Sequence, residues 1–157
     1  MAKNRNRKKP KHRFPPAATT AAQPAKVPRE GAPVDYRASH PIWSFAILDF
    51  YAEVGGWVHL SPDDRDQLLA RFQRWEKMTW HEILAEGGKK NHLIDVDRCC
   101  DKSRERLEVR HLDDRDQLMS LSVTGKKRGI GILEGAVFSI LWWDPGHDVC
   151  PSHMKHT

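Results

Sequence analysis

The stretch that most limits the possible folds of this chain is a pair of consecutive strand-like segments near its C-terminus. "RGIGIL" (128–133) and "AVFSILWW" (136–143) are separated only by Glu134 and Gly135, which suit a tight hairpin turn. The second segment is apolar on both faces, which indicates a central strand covered on both sides. Before them, "QLMSLSVT" (117–124) alternates apolar residues with serines and ends at a glycine-containing turn. The sequence therefore predicts a three-stranded antiparallel meander.

Two adjacent tryptophans, Trp142 and Trp143, close the last of these segments. Because neighbouring side chains on a strand point to opposite faces, the pair places one indole on each side of the sheet. We expect both indoles to lie in the core or under helices. The alternative is that one of them is exposed and stacks on a nucleic-acid base.

The residues before the meander begin with a strand and continue with helices. A strand is predicted at residues 42–51, which are rich in aromatic and β-branched side chains. A helix follows, with Ser61 as its N-cap and Pro62 at its first position. A second, shorter helix begins at the capping-box pair Thr79 and Glu82.

Together these elements predict an α+β fold. A third helix, with a narrower apolar face, is expected after Asp97. The expected sheet is small and antiparallel, with the first strand added at one edge of the meander. Two or three helices would pack on one face of this sheet. Residues 40–157 are expected to form this single domain, including a short polar C-terminal tail.

The N-terminal residues differ from the rest in charge and composition. Residues 1–40 hold ten Lys or Arg against two acids, or +8, whereas the whole chain carries +5, so the remainder carries −3. Six of the ten prolines precede residue 34, and large apolar residues are few. Such a composition cannot offset the entropy cost of ordering the chain. Residues 1–39 are therefore predicted to be a disordered, basic tail rich in proline and alanine.

Cysteine usage and hydropathy indicate in which cellular compartment the protein is expected. The pattern of a secretory signal or of a membrane span is not found in the sequence. The three cysteines, Cys99, Cys100 and Cys150, are odd in number and two are adjacent, which makes a poor disulfide framework. This usage suits a reducing compartment. We expect a cytoplasmic protein with no membrane partner.

The order of these elements resembles the RelE/ParE superfamily of small toxins, many of which are ribosome-dependent mRNA interferases. The resemblance covers roughly residues 42–151. It rests on a strand, two helices and a meander in that order, and on two local patterns. "KKRGIGILEGAVFSILWW" looks like the family's consecutive strands led by an arginine, and "GHDVC" looks like its closing basic-x-x-aromatic segment. The resemblance implies an RNA-cleaving toxin that is neutralised by a cognate antitoxin protein.

Cleavage by attack of the 2′-hydroxyl requires a base, a cation for the pentavalent phosphate and an acid for the leaving 5′-oxygen. The resemblance would make Arg128 the phosphate ligand, because guanidinium binds phosphate through two donors and keeps its charge. It would make His147 the acid or the base, since imidazole titrates near neutral pH. Cys150 would join this catalytic site, although the family often places a tyrosine there. No cofactor is expected.

RNA-binding cations are expected outside the meander strands. The interferases usually carry lysines on the first meander strand, where this chain has Ser120 and Ser122. The charge would come instead from the loop "GGKKNH", from the turn before the second strand and from the C-terminal tail. The candidate residues are Lys89, Lys90, His92, Lys126, Lys127 and Lys155. The alternative is that the lysines of the loop and the turn are ordinary solvated side chains.

Two other classes of function stay open at this point. His147, Cys150, His153 and His156 are spaced three residues apart and are competent zinc ligands, with Cys99 or Cys100 as substitutes. A small zinc protein is therefore one alternative. The other is a non-catalytic module in which the basic tail binds nucleic acid and the acidic body binds a protein partner.

Overall fold

The computed structural model describes residues 35–86 and 88–151. Its regular elements are β1 (Ile42–Ser44), α1 (Pro62–Trp75), α2 (Trp80–Glu86), β2 (His92–Asp95), α3 (Asp101–Val109), β3 (Gln117–Thr124), β4 (Lys127–Glu134) and β5 (Val137–Asp144). The strands form one sheet in the order β1-β5-β4-β3-β2. β1 pairs with β5 in parallel and the other pairs are antiparallel. The predicted α+β class is therefore confirmed, with a mixed sheet.

The C-terminal meander is formed by β3, β4 and β5, as predicted. Gly125 and Gly135 adopt positive φ in its two turns, which glycine does at no steric cost. The pairing of β4 with β5 shifts by one residue: Ile130 pairs with Trp142, but Gly131 pairs with Ile140. Leu141 is the extra residue of this β-bulge, which bends the strand and changes the register beyond it.

Gly131 lies beside this bulge in very close contact with β5. A Cβ atom at Gly131 would collide with the backbone carbonyl of Ser139 and with the ring of Phe138. At Gly129, two residues earlier on the same strand, a Cβ atom would meet nothing within 4 Å. The first glycine is therefore required by the close approach of two backbones, whereas the second is not.

The helices cover both faces of the sheet. α1 and α2 pack on one face, in a core cluster formed by Trp57, Leu68, Phe72, Trp75, Trp80, Ile83, Met119, Leu121, Val123, Phe138, Ile140 and Trp143. α3 packs on the other face, in a cluster formed by Ala52, Cys99, Leu107, Leu118, Ile130, Ile132, Leu141, Trp142 and Val149. Two helices thus share a face, as expected, while the third lies opposite them. Trp142 and Trp143 are both fully buried, one in each cluster, which confirms the preferred prediction for this pair.

Two of the three helices begin at the capping residues that the sequence predicted. The Ser61 hydroxyl accepts a hydrogen bond from the backbone of Asp64 (3.1 Å) at the start of α1. The capping box before α2 forms, with the Thr79 backbone N–H donating to the Glu82 carboxylate (2.7 Å). α3 begins at Asp101 rather than after Asp97, because residues 96–98 form a separate 3-10 turn. Within the two described ranges, no helix has the length and apolar character needed to cross a membrane.

Two expected bounds require correction, and one strand was not predicted. The first strand ends at Ser44 instead of residue 51, because the chain then turns inward to bury Asp49. The strand β2 was not predicted. The expected tail boundary at residue 39 is also too late, since Tyr36 packs on the first core cluster and the Ser39 carbonyl accepts a hydrogen bond from Trp80 (2.9 Å). Residues 1–34, on which the rest of the tail prediction falls, lie outside the described residues.

Asp49 connects the segment after β1 to α3 and β5. Its carboxylate is only 1% exposed and accepts hydrogen bonds from two guanidinium nitrogens of Arg106 (2.7 and 2.8 Å) and from the indole of Trp142 (3.3 Å). Arg110 lies 3.7 Å away. Burial alone would raise the pKa of Asp49, but the hydrogen bonds from Arg106 and Trp142, with the nearby positive charges, lower it overall.

Replacing Asp49 should test how much this network stabilises the fold. We expect Asp49→Ala to lower the free energy of unfolding at pH 7 by about 2–3 kcal/mol, because it leaves the buried Trp142 indole without its acceptor and removes a charged hydrogen-bond partner of Arg106. Because the folded-state pKa is lowered, this stabilisation is present above the unfolded-state pKa and is lost as pH falls through the folded-state value. The difference from the parent, measured by urea unfolding, should therefore shrink in acid. Asp113→Ala, at an exposed turn, is the control; equal stability of Asp49→Ala and the parent at pH 7 would contradict the assignment.

The two strand glycines offer a matched pair. Gly131→Ala should destabilise the protein by about 1–3 kcal/mol, because the added methyl group forces β4 and β5 apart. Gly129→Ala should be neutral or stabilising by about 0.5–1 kcal/mol, since alanine loses less backbone entropy in a strand. Thermal unfolding of the two variants measures the difference. Similar melting temperatures would show that the close contact at the bulge is absent in solution.

Candidate functional site

A cavity of about 620 Å³ lies on the face of the sheet that α3 covers only in part. Its floor is formed by residues on three adjacent strands. Arg128 on β4 pairs across the sheet with Ser122 on β3 and with Asp144 on β5. One step along, Ser120 pairs with Ile130. Four of these five residues, Ser122 excepted, line the cavity, so a buried cation and a buried acid share its floor.

Two chain segments form the walls. On one side is the edge strand β2 (His92–Asp95), followed by Arg98. On the other side is the closing segment, defined here as residues 145–151, which follows β5 and contributes His147, Cys150 and Pro151. The cavity therefore has mostly apolar walls with imidazole, guanidinium and carboxyl groups converging on it, as is typical of ligand-binding sites.

Arg128 is 7% exposed, which is unusual for an arginine. Its Nη1 donates to the Ser122 hydroxyl (3.0 Å) and to the backbone carbonyls of Gly125 (2.8 Å) and Lys127 (3.0 Å). Its Nε is buried and has no hydrogen-bond partner within the described part of the chain. Burial lowers the pKa of Arg128 and the charge of Asp144 opposes this, but a guanidinium stays protonated at neutral pH.

Asp144 holds the closing segment against the sheet. Its carboxylate is 2% exposed and accepts hydrogen bonds from the backbone N–H groups of Asp148 (2.8 Å) and Val149 (3.2 Å). Burial raises the pKa of Asp144, against these two hydrogen bonds and the positive charge of His147, which lower it. The turn so formed gives His147 a φ of 68°, a left-handed conformation that is uncommon outside glycine. The half-buried imidazole then borders the cavity.

The structure joins Cys150 to Cys99 in a disulfide, which corrects two expectations. The three cysteines do supply a disulfide, because the closing segment returns to the start of α3, where the Cys100 backbone N–H donates to the Val149 carbonyl (2.9 Å). Cys150 lines the cavity but has no thiol to offer, so a catalytic role for it is not supported. Cys100 keeps a free thiol, within 3.1 Å of the Ser103 hydroxyl.

The alternative of a zinc site rests partly on residues outside the described ranges. His153 and His156 lie beyond residue 151, and Cys150 is bonded to Cys99. Between residues 35 and 151, position 87 excepted, no group of three or more His, Cys, Asp or Glu side chains could hold a metal ion.

Lys127 points away from the cavity. It neighbours Arg128 on β4, and successive strand residues face opposite sides of the sheet. It forms an ion pair with Asp64, in the first turn of α1. The hydrogen bond from Lys127 lowers the pKa of Asp64 and outweighs burial, which raises it. This lysine is therefore engaged in the fold and is separated from Arg128 by the sheet.

The other predicted RNA-binding residues are dispersed. His92 lines the cavity with Arg128 and His147. Lys126 is exposed in the turn before β4, and Lys89 is exposed in the turn before β2. Lys90 borders a separate groove of about 170 Å³ beside α2. Lys155 lies outside the described residues.

Four polar residues that line the cavity were not identified from the sequence as site residues: Asp95, Arg98, Ser120 and Asp144. Asp144 could not be placed opposite Arg128 because a regular two-residue hairpin pairs Arg128 with Trp143, and only the bulge moves the pairing to Asp144. Arg98 could not be placed at the cavity because the preceding strand, β2, was not predicted. Its four residues are too few to show the two-residue period of a strand. The available signal was the polar segment "DPGHD" (144–148), which begins at the last residue of an apolar strand.

The disulfide can be tested by counting thiols and measuring stability. The unfolded parent should titrate one thiol without reductant and three after reduction. Cys99 and Cys150 are 51 residues apart, for which the loop-entropy relation gives a stabilisation of roughly 4 kcal/mol. Cys150→Ser should lose about this much in urea unfolding under non-reducing conditions, whereas Cys100→Ser should lose little. Three titratable thiols in the untreated parent would rule the bond out.

Neither a protein-family model, nor a curated protein, nor a solved structure matches this chain. The resemblance to RelE/ParE toxins therefore stays a prediction, which rests on the two quoted motifs and on an element order that the chain follows only in part. The structure departs from the expected order by the insertion of β2 and α3 between the two helices and the meander.

Proposed function

We propose that this protein is an endoribonuclease of the RelE-like toxin class, which cleaves mRNA by attack of a 2′-hydroxyl on the adjacent phosphate. The observation that carries the proposal is that Arg128 and His147 line one cavity with the buried acid Asp144. The two residues come from different elements, and only the folded sheet brings them together. A cation and a titratable imidazole in one enclosed site are the two groups that this reaction most requires.

Arg128 serves as the ligand of the scissile phosphate. Burial makes an unpaired guanidinium costly, and here its nearest fixed partners are neutral oxygens rather than a bonded carboxylate. Its Nε makes no hydrogen bond within the described residues, but the atom is closed to solvent, so the side chain must shift before Nε can donate to a phosphate oxygen. In a site of low dielectric this charge stabilises the pentavalent phosphate more strongly than it would in water.

His147 serves as the group that moves a proton. The buried carboxylate of Asp144 attracts the positive imidazolium and, through the backbone of residues 148 and 149, fixes the turn that presents it. Asp144 does not need to contact the substrate for this role. It positions the imidazole through the backbone of the turn, by accepting hydrogen bonds from the N–H groups of residues 148 and 149.

Charges outside the cavity support binding of a polyanion. Lys126 is exposed near the cavity end of β4, and Arg98 stands at the rim. Residues 1–40 carry +8, so neutralisation of phosphates by this segment would release counterions and strengthen binding at low salt. The segment thereby compensates for the net negative charge of the rest of the chain.

The proposal includes an antitoxin protein and a cytoplasmic location. Cleavage of mRNA takes place where translation does, so the proposal places the protein and its neutralising partner in the cytoplasm, although the Cys99–Cys150 disulfide removes the support that cysteine usage gave to a reducing compartment. β2 is an edge strand of the sheet, and Leu93 on it is 51% exposed beside the cavity. A partner that adds a strand to this edge would cover both the apolar side chain and the entrance.

Conservative variants of the two central residues test the proposal. His147→Asn keeps a residue that tolerates positive φ but cannot transfer a proton, and Arg128→Lys keeps a buried charge but loses the planar donor set. Both should reduce mRNA cleavage by about 10²–10⁴-fold, measured by primer extension on a reporter mRNA in a translating extract. His81→Asn, at an exposed position on α2, is the matched control and should cleave as the parent does.

Folding is checked separately by thermal unfolding, because only variants that melt near the parent are informative. If His147→Asn and Arg128→Lys both cleave normally, the assigned chemistry is wrong. If the parent itself produces no new RNA ends while binding RNA in a salt-dependent manner, the protein is a non-catalytic nucleic-acid-binding module.

A further inference from the structure

A second imidazole, that of His92, borders the same cavity as His147, on the opposite wall. His92 is exposed and is the first residue of β2. It pairs across the sheet with Ser120, which pairs with Ile130, which pairs with Trp142. Residues paired in this way share a face, so His92 is on the face that carries Arg128 and Asp144.

The two imidazoles lie on either side of the arginine. β2 and β5 are three strand spacings apart, or about 14 Å between backbones, and Arg128 is on β4 between them. His147 reaches back toward the sheet from the closing segment, whereas His92 approaches from the β2 edge. A phosphate held by Arg128 would thus have one imidazole on each side.

We propose that His92 is the general base and His147 the general acid of the RNA cleavage described above, on which this inference rests. In the proposed step, the His92 imidazole takes the proton of the 2′-hydroxyl as the 2′-oxygen forms its bond to phosphorus. The bond from phosphorus to the 5′-oxygen breaks, and the His147 imidazolium gives its proton to that oxygen. The products are a 2′,3′-cyclic phosphate and a 5′-hydroxyl end.

In-line displacement at phosphorus supports this division of roles. The attacking and leaving oxygens lie on opposite sides of the phosphorus atom, so one side chain cannot easily serve both. The buried acid Asp144 lines the cavity with His147 and fixes the turn that carries this imidazole, and a neighbouring carboxyl group suits the proton donor of the pair. The other charged groups that line the cavity are Asp95, Arg98 and Arg128. Asp95 accepts a hydrogen bond from Gln117 (2.8 Å) and pairs with Arg98 (3.5 Å).

The first test is the pH dependence of single-turnover cleavage of a short ribosome-bound mRNA. The parent should show a bell-shaped profile, because His92 must be neutral and His147 protonated. His92→Asn should reduce the rate by about 10²–10⁴-fold and remove the loss of activity on the acid side. His147→Asn should remove the loss on the alkaline side. His92 is exposed, so its variant should melt at the temperature of the parent.

The second test separates the acid from the base. An mRNA with sulfur in place of the bridging 5′-oxygen has a leaving group that needs no proton, and it should restore cleavage to His147→Asn but not to His92→Asn. Rescue of His92→Asn instead would overturn the assignment of roles. If His92→Asn cleaves as fast as the parent while Arg128→Lys and His147→Asn do not, His92 has no catalytic role and the proposed function still stands. If the parent leaves the mRNA intact, both proposals fail.

Discussion

The β-bulge at Leu141 is the constraint on which the rest of the site depends. Before the bulge, β4 and β5 pair in the register set by their two-residue turn; after it, the pairing has moved by one residue. A one-residue shift exchanges the two faces of a strand. Because of the bulge, Trp142 enters the α3 side of the core and Asp144 meets Arg128, whereas a regular hairpin would put Trp143 opposite the arginine.

The two faces of the sheet are covered by different kinds of contact. The face under α1 and α2 is closed by aromatic packing, such as the stacked rings of Trp43 and Phe72, whose centroids are 4.4 Å apart. The other face is divided between the apolar cluster beneath α3 and the cavity. The network around Asp49 anchors α3 by charge-assisted hydrogen bonds, which are more directional than apolar contact. The position of α3 therefore determines how much of this face is covered by the apolar cluster and how much is left open as the cavity.

The sequence predicted those parts of the fold that depend on short-range pattern. The meander, the cap at Ser61, the capping box at Thr79 and Glu82 and the burial of both tryptophans follow from periodicity and local hydrogen bonding. Arg128, His92 and His147, the candidate site residues on three separate segments, line one cavity, and their role stays a prediction. The disulfide, the parallel pairing of β1 and the ion pair of Lys127 were not predicted, because each joins residues far apart in the chain. Such contacts depend on the topology of the fold. Hydrophobic periodicity along the sequence indicates a strand or a helix, but it does not indicate which elements pair.

Two adjacent cations on β4, Lys127 and Arg128, point to opposite faces of the sheet because the strand is pleated. One neutralises an acid at the start of α1, and the other enters the cavity. The register of this hairpin thus determines which cation faces the cavity. A ligand there would meet the flat guanidinium of Arg128 and not the compact ammonium of Lys127. A slip of β4 by one residue against β3 and β5 would exchange the two cations between the faces of the sheet.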